Sequence, residues 1–350
     1  MAAVQPRGSI ARKAAISFTG GKDSMTVLHL MRAPEIVMEA IDDTAWREDV
    51  RERIAKVTHC EVALLVTFVP AGRKQSFKAH PLEVVQLQAH ALGLPHLVME
   101  VESAPSFLES YKANIRRLRE EYGITALATG DILDVCNSFM PRAAAGTGVD
   151  LIAPLWGIER RLLLELVWAY SMSPLITCVN VTKFTEVAEV KQAPPLPPPP
   201  PASVMPVAEV VTEAEEVAEA DAGSEAEAGA GALDITAPVA DIEGGTSATK
   251  EATEAKAYCD ASVSVRSSET TAPQVGLALL GRQLNRQLHE DVLLPAKRMY
   301  GVDECGEWGE YHTMVTDSRL FVRPLHLSFE PQREGDFAFL ALRLIELDEH

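Results

Sequence analysis

The residues best suited to chemistry in this sequence begin with a short polar run, S-F-T-G-G-K-D-S, at residues 17–24. Its two glycines, Gly20 and Gly21, can adopt positive φ angles and let backbone N–H groups approach a polyanion. Lys22 can neutralise phosphate charge, and Asp23 can help to hold Mg²⁺. The hydroxyl groups that can donate to phosphate oxygens are those of Ser17, Thr19 and Ser24. The run therefore predicts a loop that binds a pyrophosphate group, with Mg²⁺ at Asp23.

Two other phosphate-binding patterns do not fit this run. The P-loop of kinases and GTPases would require a glycine at Ile16 and a hydroxyl residue at Asp23, and the glycine pattern of dinucleotide-binding folds is missing. The run resembles the S/T-G-G-K-D-S signature of the PP-loop ATP pyrophosphatases, which bind ATP, adenylate an acceptor and release pyrophosphate. The alternative is an ordinary helix start, capped by Asp23 or Ser24. A predicted strand before the run and a predicted helix after it favour the phosphate loop.

A narrower resemblance comes from four separated pieces of the chain. The most specific is G-V-D-E-C-G-E-W-G-E-Y-H-T at residues 301–313, called here the acceptor box. It is similar to the D-P-C-G-E-N-G-E-F-H-T box of the diphthine–ammonia ligase family, with Glu304 in place of Pro and Trp308 in place of Asn. The chain departs from the family in the long segment between Met31 and Cys60. The other pieces are Phe77–His80 with Leu92–Pro95, Thr129–Ile132 and Pro154–Gly157.

The resemblance implies an ATP-dependent ligase that forms a C–N bond. Enzymes of this family amidate diphthine on translation elongation factor 2. The diphthine carboxylate would attack the α-phosphate of ATP, pyrophosphate would leave, and ammonium would supply the nitrogen. Within the acceptor box, Glu307 and Glu310 could hold the trimethylammonium group of diphthine or an ammonium ion, and His312 could move a proton. The catalytic set that the resemblance implies is Lys22, Asp23, Glu307, Glu310 and His312.

Each candidate in the acceptor box also has a structural alternative. Glu307 and Glu310 could be turn residues, and His312 could be a strand residue bonded to backbone. Cys305 has no base that the sequence can assign to it, and a buried structural cysteine is the favoured interpretation.

Three further residues are candidates, two of them outside these runs and the third, Trp308, within the acceptor box. Asp131 follows Gly130 at the end of a predicted strand, where it could meet Mg²⁺ or the ribose, or could cap the next helix. Trp156 or Trp308 could offer a cation–π face to the acceptor, although Trp156 could equally be a core aromatic.

The elements that must position these residues alternate along the chain. Strands are predicted at 13–18, 61–69, 96–101, 125–129 and from 151, with helices of 10 to 15 residues between most of them and a last strand-like run at 175–181. This alternation predicts an α/β fold of the HUP or PP-loop type, a parallel sheet flanked by helices, over residues 10–185. Ligands of such sheets lie at the carboxyl ends of the strands. Residues 273–330 are predicted as a smaller C-terminal subdomain that carries the acceptor site.

Composition changes sharply after residue 185. Residues 194–201 include seven prolines, and residues 207–260 include 14 Asp or Glu against 2 Lys, which accounts for most of the net charge of −18. Such a segment cannot bury enough apolar surface to offset the entropy of ordering. We therefore predict residues 186–272 to be a long disordered insertion, which the fold tolerates because loop length is a weak entropic cost.

Composition also limits the classes of function. The five cysteines have no zinc-like spacing, and their odd number fits a reducing compartment such as the cytoplasm. No apolar run is long enough to cross a membrane, and the charge outside the insertion is poorly suited to stable nucleic-acid binding. Two rival hypotheses remain open. One is a PP-loop enzyme that modifies tRNA, and the other is a non-catalytic ATP-binding interaction protein.

Overall fold

The computed structural model describes residues 12–40, 48–57, 59–72, 78–134, 136–184 and 275–344. Within these ranges the strands form one sheet of five strands and one of four. The predicted insertion, residues 186–272, lies outside the described residues, and so does Phe77.

The first sheet is parallel and has the strand order β3-β2-β1-β4-β5. Residues 14–16 and 126–128, in its two central strands, are fully buried, because strands of a parallel sheet are covered by helices on both faces. The predicted α/β fold with a parallel sheet is confirmed. Its strands are β1 (Arg12–Ser17), β2 (Cys60–Pro70), β3 (His96–Val101), β4 (Ala126–Ala128) and β5 (Asp150–Ile152).

The longest helix of this part has two ends that the local sequence explains. In the longest helix, the hydroxyl of Ser106 accepts a hydrogen bond from the amide of Glu109 at 3.1 Å, and Gly123 ends the helix at a φ of 68°. A glycine adopts that left-handed conformation without strain. The helices are α1 (Lys22–Arg32), α2 (Pro34–Ala40), α3 (Glu48–Val57), α4 (Leu82–Ala91), α5 (Phe107–Tyr122), α6 (Phe139–Ala144) and α7 (Arg160–Ala169).

The point where the strand order reverses lies between β1 and β4. The chain continues from β1 to β2 and β3 on one side of the sheet, and from β4 to β5 on the other. In open parallel sheets, a crevice forms at the carboxyl ends of the two strands that flank such a point, and ligands bind there. The polar run at residues 17–24 follows β1 and Gly130 follows β4, so the topology brings both to this crevice.

The second sheet is antiparallel and has the order β7-β6-β9-β8. Its strands are β6 (Pro174–Asn180), β7 (Tyr311–Val315), β8 (Leu327–Glu334) and β9 (Phe337–Leu344). The run at 175–181 was expected to close the parallel series, and this expectation is wrong. Six of the seven residues of β6 are buried, a pattern that a parallel strand also shows, and its partners β7 and β9 come from the far end of the chain.

The predicted domain limits stay predictions. The strands of the second sheet come from both sides of residue 185 and extend past residue 330. β6 precedes residue 185 but pairs with strands that follow residue 310. The β8–β9 hairpin continues past residue 330 as far as Leu344.

The chain segments on either side of residues 185–274 meet in the structure. A 3₁₀ turn, Val181–Phe184, follows β6, and the next described element is α8 (Val275–Leu279). A Cβ atom on Gly276 would lie 3.1 Å from Cδ2 of Phe184, so the glycine allows a close approach of α8 to the aromatic ring.

Leucines recur at helical spacing at positions 277, 280, 284 and 288, but the structure interrupts the helix between them. After α8 the chain forms an isolated bridge between Gln283 and Leu175, and helix resumes at Arg286. This second stretch consists of α9 (Arg286–Leu288), a π-helical turn (His289–Leu293) and α10 (Leu294–Tyr300). None of the helices in the described part of the chain is long and apolar enough to cross a membrane.

Candidate functional site: the phosphate loop and the acceptor box

The predicted phosphate loop lies between β1 and the first turn of α1. Gly20 has a φ of 74°, and Gly21 is the residue before the helix, where no side chain of its own can cap it. The Ser24 hydroxyl donates to the Gly21 carbonyl at 3.3 Å and so does not cap the helix start. Lys22 and Ser24 are buried, while Ser17, Thr19 and Asp23 are partly exposed. The loop therefore has the backbone form and the polar groups expected of a phosphate cradle.

Gly130 packs against the start of α1. A Cβ atom at this position would lie 2.9 Å from the Asp23 backbone carbon and 2.9 Å from the Ser24 nitrogen, which is closer than real Cβ contacts. Only a glycine at the end of β4 therefore lets the two segments come together. The structure thus brings Gly130 and Asp131 beside the phosphate loop, as the sequence predicts.

Asp23 and Asp131 form an acidic pair at this crevice. Burial raises the pKa of Asp131, and the charges of Asp23 and Asp134 raise it further. Oδ1 of Asp23 is buried and has no hydrogen-bond partner among the described residues. Two carboxylates whose charges influence each other in this way fit Mg²⁺, which proteins often hold through one or two carboxylates together with substrate phosphates. The described residues contain no group of three or more His, Cys, Asp or Glu that could enclose a metal by itself.

The side chain of Lys22 joins the phosphate loop to the acceptor box. Its ammonium nitrogen lies 2.9 Å from Oδ2 of Asp23 and 3.0 Å from Oε1 of Glu307. Burial opposes the positive charge, but the two carboxylates outweigh this effect and raise the pKa of Lys22 well above its usual value. Residues 285 positions apart in the chain are therefore held in one buried charged cluster.

Glu307 is the group of this cluster that titrates in the neutral range. Burial raises its pKa to about 7, and the nearby charge of Asp23 adds to the rise, while Lys22 opposes it. One ammonium group faces two carboxylates, so a proton on Glu307 removes the excess negative charge. Near neutral pH, Glu307 can therefore change between a neutral acid and an anion that attracts a cation.

This titration predicts a pH dependence of stability. Between pH 4.5 and about 7, the folded chain keeps on Glu307 a proton that the unfolded chain has lost, so this group makes the free energy of unfolding fall as pH rises. The Glu307→Gln variant should show a smaller fall over the same interval. Urea denaturation of both proteins at several pH values measures the difference, and parallel curves would contradict the assignment.

Glu310 has a different place from Glu307. Its Oε1 accepts the amide of Asp303 at 3.0 Å, and its Oε2 accepts the amide of Trp308 at 2.9 Å. Burial raises the pKa of Glu310, and these backbone donors oppose the rise. Both carboxylate oxygens therefore accept hydrogen bonds from backbone amides of the acceptor box itself, and these bonds stabilise its turn. The structure supports the turn-residue alternative for Glu310, whose role toward a cation stays a prediction.

His312 lies on β7 beside His80, a residue of the family resemblance. The two ring centroids are 5.4 Å apart and the rings meet nearly edge to face. Burial lowers the pKa of His312 to about 4 and that of His80 to about 3, and the charge of Lys22 acts in the same direction. Both imidazoles are therefore neutral at neutral pH, and a neutral imidazole can accept a proton.

Cys305 has the structural environment that the sequence favoured. It is 1% exposed, its amide donates to Oδ1 of Asp303 at 2.8 Å, and its thiol donates to the Arg160 carbonyl at 3.5 Å. Burial raises the pKa of the thiol well above its ordinary value. Because the thiolate is the nucleophilic form, this environment keeps Cys305 unreactive.

The two tryptophan candidates differ in exposure. Trp308 is 43% exposed at the acceptor box, where it can meet a cationic group from solvent. Trp156 is partly buried, and its carbonyl accepts a hydrogen bond from the guanidinium of Arg53 on α3.

Glu304 takes the position of the family's proline and anchors the acceptor box. Its Oε2 lies 2.6 Å from Nε2 of His289, and its Oε1 accepts from Lys297 at 2.6 Å. Burial would raise the pKa of this carboxyl, but the two donors lower it below its usual value. The exchange of Pro for Glu therefore adds a polar attachment between the acceptor box and the helical stretch that precedes it.

Sequence reasoning missed two polar residues that bind the phosphate loop. The hydroxyl of Thr313 accepts the Lys22 amide at 3.1 Å, and the fully buried Gln88 on α4 donates to the Gly20 carbonyl at 2.9 Å. In the sequence, Thr313 is only the last residue of the acceptor box. Gln88 carries no local signal, because a glutamine on an amphipathic helix is usually exposed.

Comparison with known proteins gives one family match. Residues 256–342 match the family model of the diphthamide synthase C-terminal domain, and this range includes the whole acceptor box. The resemblance to diphthine–ammonia ligases is confirmed for that part of the chain. No curated protein matches the chain.

Among solved structures, the chain is similar to the U34-tRNA thiolase NcsA from Methanococcus maripaludis, determined with its 4Fe–4S cluster. The identity is 16% and the TM-score is 0.27. The match covers 46% of this chain and 56% of the thiolase, so the chain spans about half the length of that protein.

Proposed function

We propose that this chain is an ATP-dependent amide ligase of the cytoplasm. It adenylates the diphthine carboxylate of elongation factor 2, amidates it with ammonium to give diphthamide, and releases AMP and pyrophosphate. The observation that carries the proposal is the contact of Lys22 with Glu307 at 3.0 Å, which places the phosphate loop and the acceptor box in one site. The family match over residues 256–342 supports the same reaction.

The phosphate loop acts on the nucleotide. Backbone N–H groups around Gly20 and Gly21 and the ammonium of Lys22 bind the outer phosphates, and this leaves the α-phosphorus open to the acceptor carboxylate. Asp23 would hold Mg²⁺, with Asp131 as a candidate second ligand, and the ion would neutralise phosphate charge. Binding of the phosphates draws the ammonium of Lys22 away from Glu307, because a polyphosphate carries more negative charge than a single carboxylate.

The acceptor box acts on the second substrate. Glu307, once Lys22 faces the phosphates, exchanges that ammonium for the trimethylammonium of diphthine or for an ammonium ion, and either cation keeps the buried carboxylate ionised. The exposed ring of Trp308 adds a face for the same cation. Ammonia, formed when ammonium loses a proton to solvent, attacks the acyl-adenylate, and the neutral imidazole of His312 takes the second proton, which the nitrogen loses as AMP leaves.

The proposal is tested by the products of a single reaction. The purified chain is incubated with ATP, Mg²⁺, ammonium and elongation factor 2 that carries diphthine. We expect AMP and pyrophosphate in equal amounts and an amide on the factor, detected by mass spectrometry of the modified peptide. Omission of ammonium should leave the amide unformed, which controls for ATP hydrolysis alone.

Other outcomes would redirect the assignment. ADP and phosphate as products would exclude cleavage between the α and β phosphates, and thereby exclude the ligase. AMP and pyrophosphate without an amide on elongation factor 2 would retain the ATP chemistry and reject the acceptor. Under that second outcome, tRNA binding that weakens steeply with salt would indicate a nucleic-acid substrate.

A further inference from the structure

Gln88 on α4 contacts two chain segments that lie far apart in the sequence. Its side chain is 0% exposed. Its amide nitrogen donates to the Gly20 carbonyl at 2.9 Å and to the Val315 carbonyl at 2.7 Å. Gly20 belongs to the phosphate loop, and Val315 is the last residue of β7. One NH₂ group therefore satisfies one acceptor in each half of the candidate site.

The fit of this amide against Gly20 is close. A Cβ atom on Gly20 would lie 1.8 Å from Oε1 of Gln88, so the side chain fills the space that any other residue would occupy. Oε1 is buried and has no hydrogen-bond partner among the described residues. A buried acceptor without a partner costs free energy, so the two donated bonds must hold the amide in this orientation.

The phosphate loop and β7 share further bonds around Gln88. The amide of Val315 donates to the Gly20 carbonyl at 2.9 Å, and the amide of Lys22 donates to the Thr313 hydroxyl at 3.1 Å. β7 begins at Tyr311, inside the acceptor box. The position of the box relative to the loop is therefore set by the direct bonds of β7 with residues 20–22 and by the bridge that the two hydrogen bonds of Gln88 form between Gly20 and Val315.

We propose that Gln88 is a positioning residue, whose amide clamps the phosphate loop onto β7 and thereby fixes the acceptor box relative to the bound nucleotide. The inference rests on the proposed function, because it assigns the nucleotide to the loop and the acceptor to the box. Gln88 acts only through Gly20 and Val315. It is therefore distinct from the groups that meet the substrates.

The chemistry of the clamp is specific to a carboxamide. Donation to two carbonyl oxygens needs two N–H bonds on one nitrogen, which methionine and glutamate of similar length lack. Glutamate would in addition place a carboxyl oxygen against both carbonyl oxygens. Loss of the clamp is expected to loosen the link between loop and strand, while Lys22 and the loop amides still bind phosphate.

The experiment compares Gln88→Met and Gln88→Glu with Gln86→Met, an exposed glutamine on the same helix. We expect kcat for AMP formation to fall about tenfold to a hundredfold in Gln88→Met and further in Gln88→Glu, since each lost hydrogen bond weakens the arrangement by about a factor of ten. The Kd for ATP should change by less than about threefold, since the phosphate ligands remain. Gln86→Met should match the wild type.

Hydrogen exchange supplies a second readout, whose expected pattern a loss of stability alone would not produce. Addition of ATP without acceptor should slow exchange of the amides at residues 311–315 in the wild type and in Gln86→Met. In Gln88→Met, ATP should still slow exchange near residues 20–25 but no longer at 311–315. A variant that was merely less stable would show faster exchange in both regions with and without ATP.

The outcomes separate the two proposals. If ATP protects residues 311–315 equally in Gln88→Met and in the wild type, Gln88 has no positioning role, and the proposed function is unaffected. If the wild type binds ATP but forms no amide, the acceptor is wrong, and the exchange experiment still decides the role of Gln88. If the wild type binds no ATP, the proposed function and the clamp both fail.

Discussion

Replacing Lys22 with methionine is expected to reduce the formation of AMP and pyrophosphate by more than about a hundredfold, the usual cost of losing a preorganised charge at a transition state. Its ammonium is the cation that lies at the phosphate loop, 5% exposed and already held by Asp23 and Glu307. Methionine keeps the length of the side chain without its charge. Release of pyrophosphate, measured with and without the acceptor, checks the prediction.

The same change should also destabilise the fold. Without the ammonium, Glu307 must take up a proton or remain as an unpaired buried carboxylate beside Asp23, and breaking a buried ion pair costs about 3 kcal/mol or more. The double variant Lys22→Met with Glu307→Gln removes one of the two negative charges. It should recover part of the stability and none of the activity. Recovery of activity together with stability would show that Lys22 serves the fold alone.

Replacing Asp23 with asparagine should have the second largest effect. Asparagine keeps the size of the side chain but loses the charge that pairs with Lys22 at 2.9 Å and the anionic Oδ1 that has no partner among the described residues. We expect pyrophosphate release to fall about a hundredfold and half-maximal activity to require a higher Mg²⁺ concentration. Unchanged Mg²⁺ dependence would argue that Asp23 is not a metal ligand.

The Asp131→Asn variant is the matched comparison, because Asp131 is the other acid of the pair. It decides whether Asp131 binds Mg²⁺ or the ribose. If Asp131 also holds Mg²⁺, its variant should shift the Mg²⁺ dependence in the same direction as Asp23→Asn. If Asp131 binds the ribose, the variant should lose discrimination between ATP and dATP while its Mg²⁺ dependence stays unchanged. A variant equal to the wild type in both assays would exclude both roles, and the helix-cap alternative is wrong because the next helix begins at Phe139 with Ser138 at its N-cap.

The first sheet and the phosphate loop could be predicted from local sequence. Gly20, Gly21 and Lys22 stand between an apolar strand and an amphipathic helix, and that pattern needs no distant contact to be recognised. Gly130 was placed beside the loop because the carboxyl ends of neighbouring parallel strands share one edge. The helix end at Gly123 is likewise a local feature, because glycine favours the left-handed conformation that ends the helix.

Other parts depend on contacts that the sequence does not display. The strand β6 is buried on both faces like a parallel strand, and only its partners reveal that it belongs to the second sheet. Glu307 and Glu310 are three residues apart, yet one pairs with Lys22 and the other bonds backbone amides of its own loop. Gln88 is far from both segments that it joins, so no local pattern indicates its role.

Phe184 and Gly276 approach each other closely, so the geometry of the site need not depend on the number of residues between them. The two residues lie next to each other, so the segment that ends at Phe184 and the helix α8 that carries Gly276 are adjacent in the fold. The entropy of closing a flexible loop between two adjacent points grows only with the logarithm of its length. We therefore expect a change in the number of residues between these two points to leave the distance from Lys22 to Glu307 unchanged.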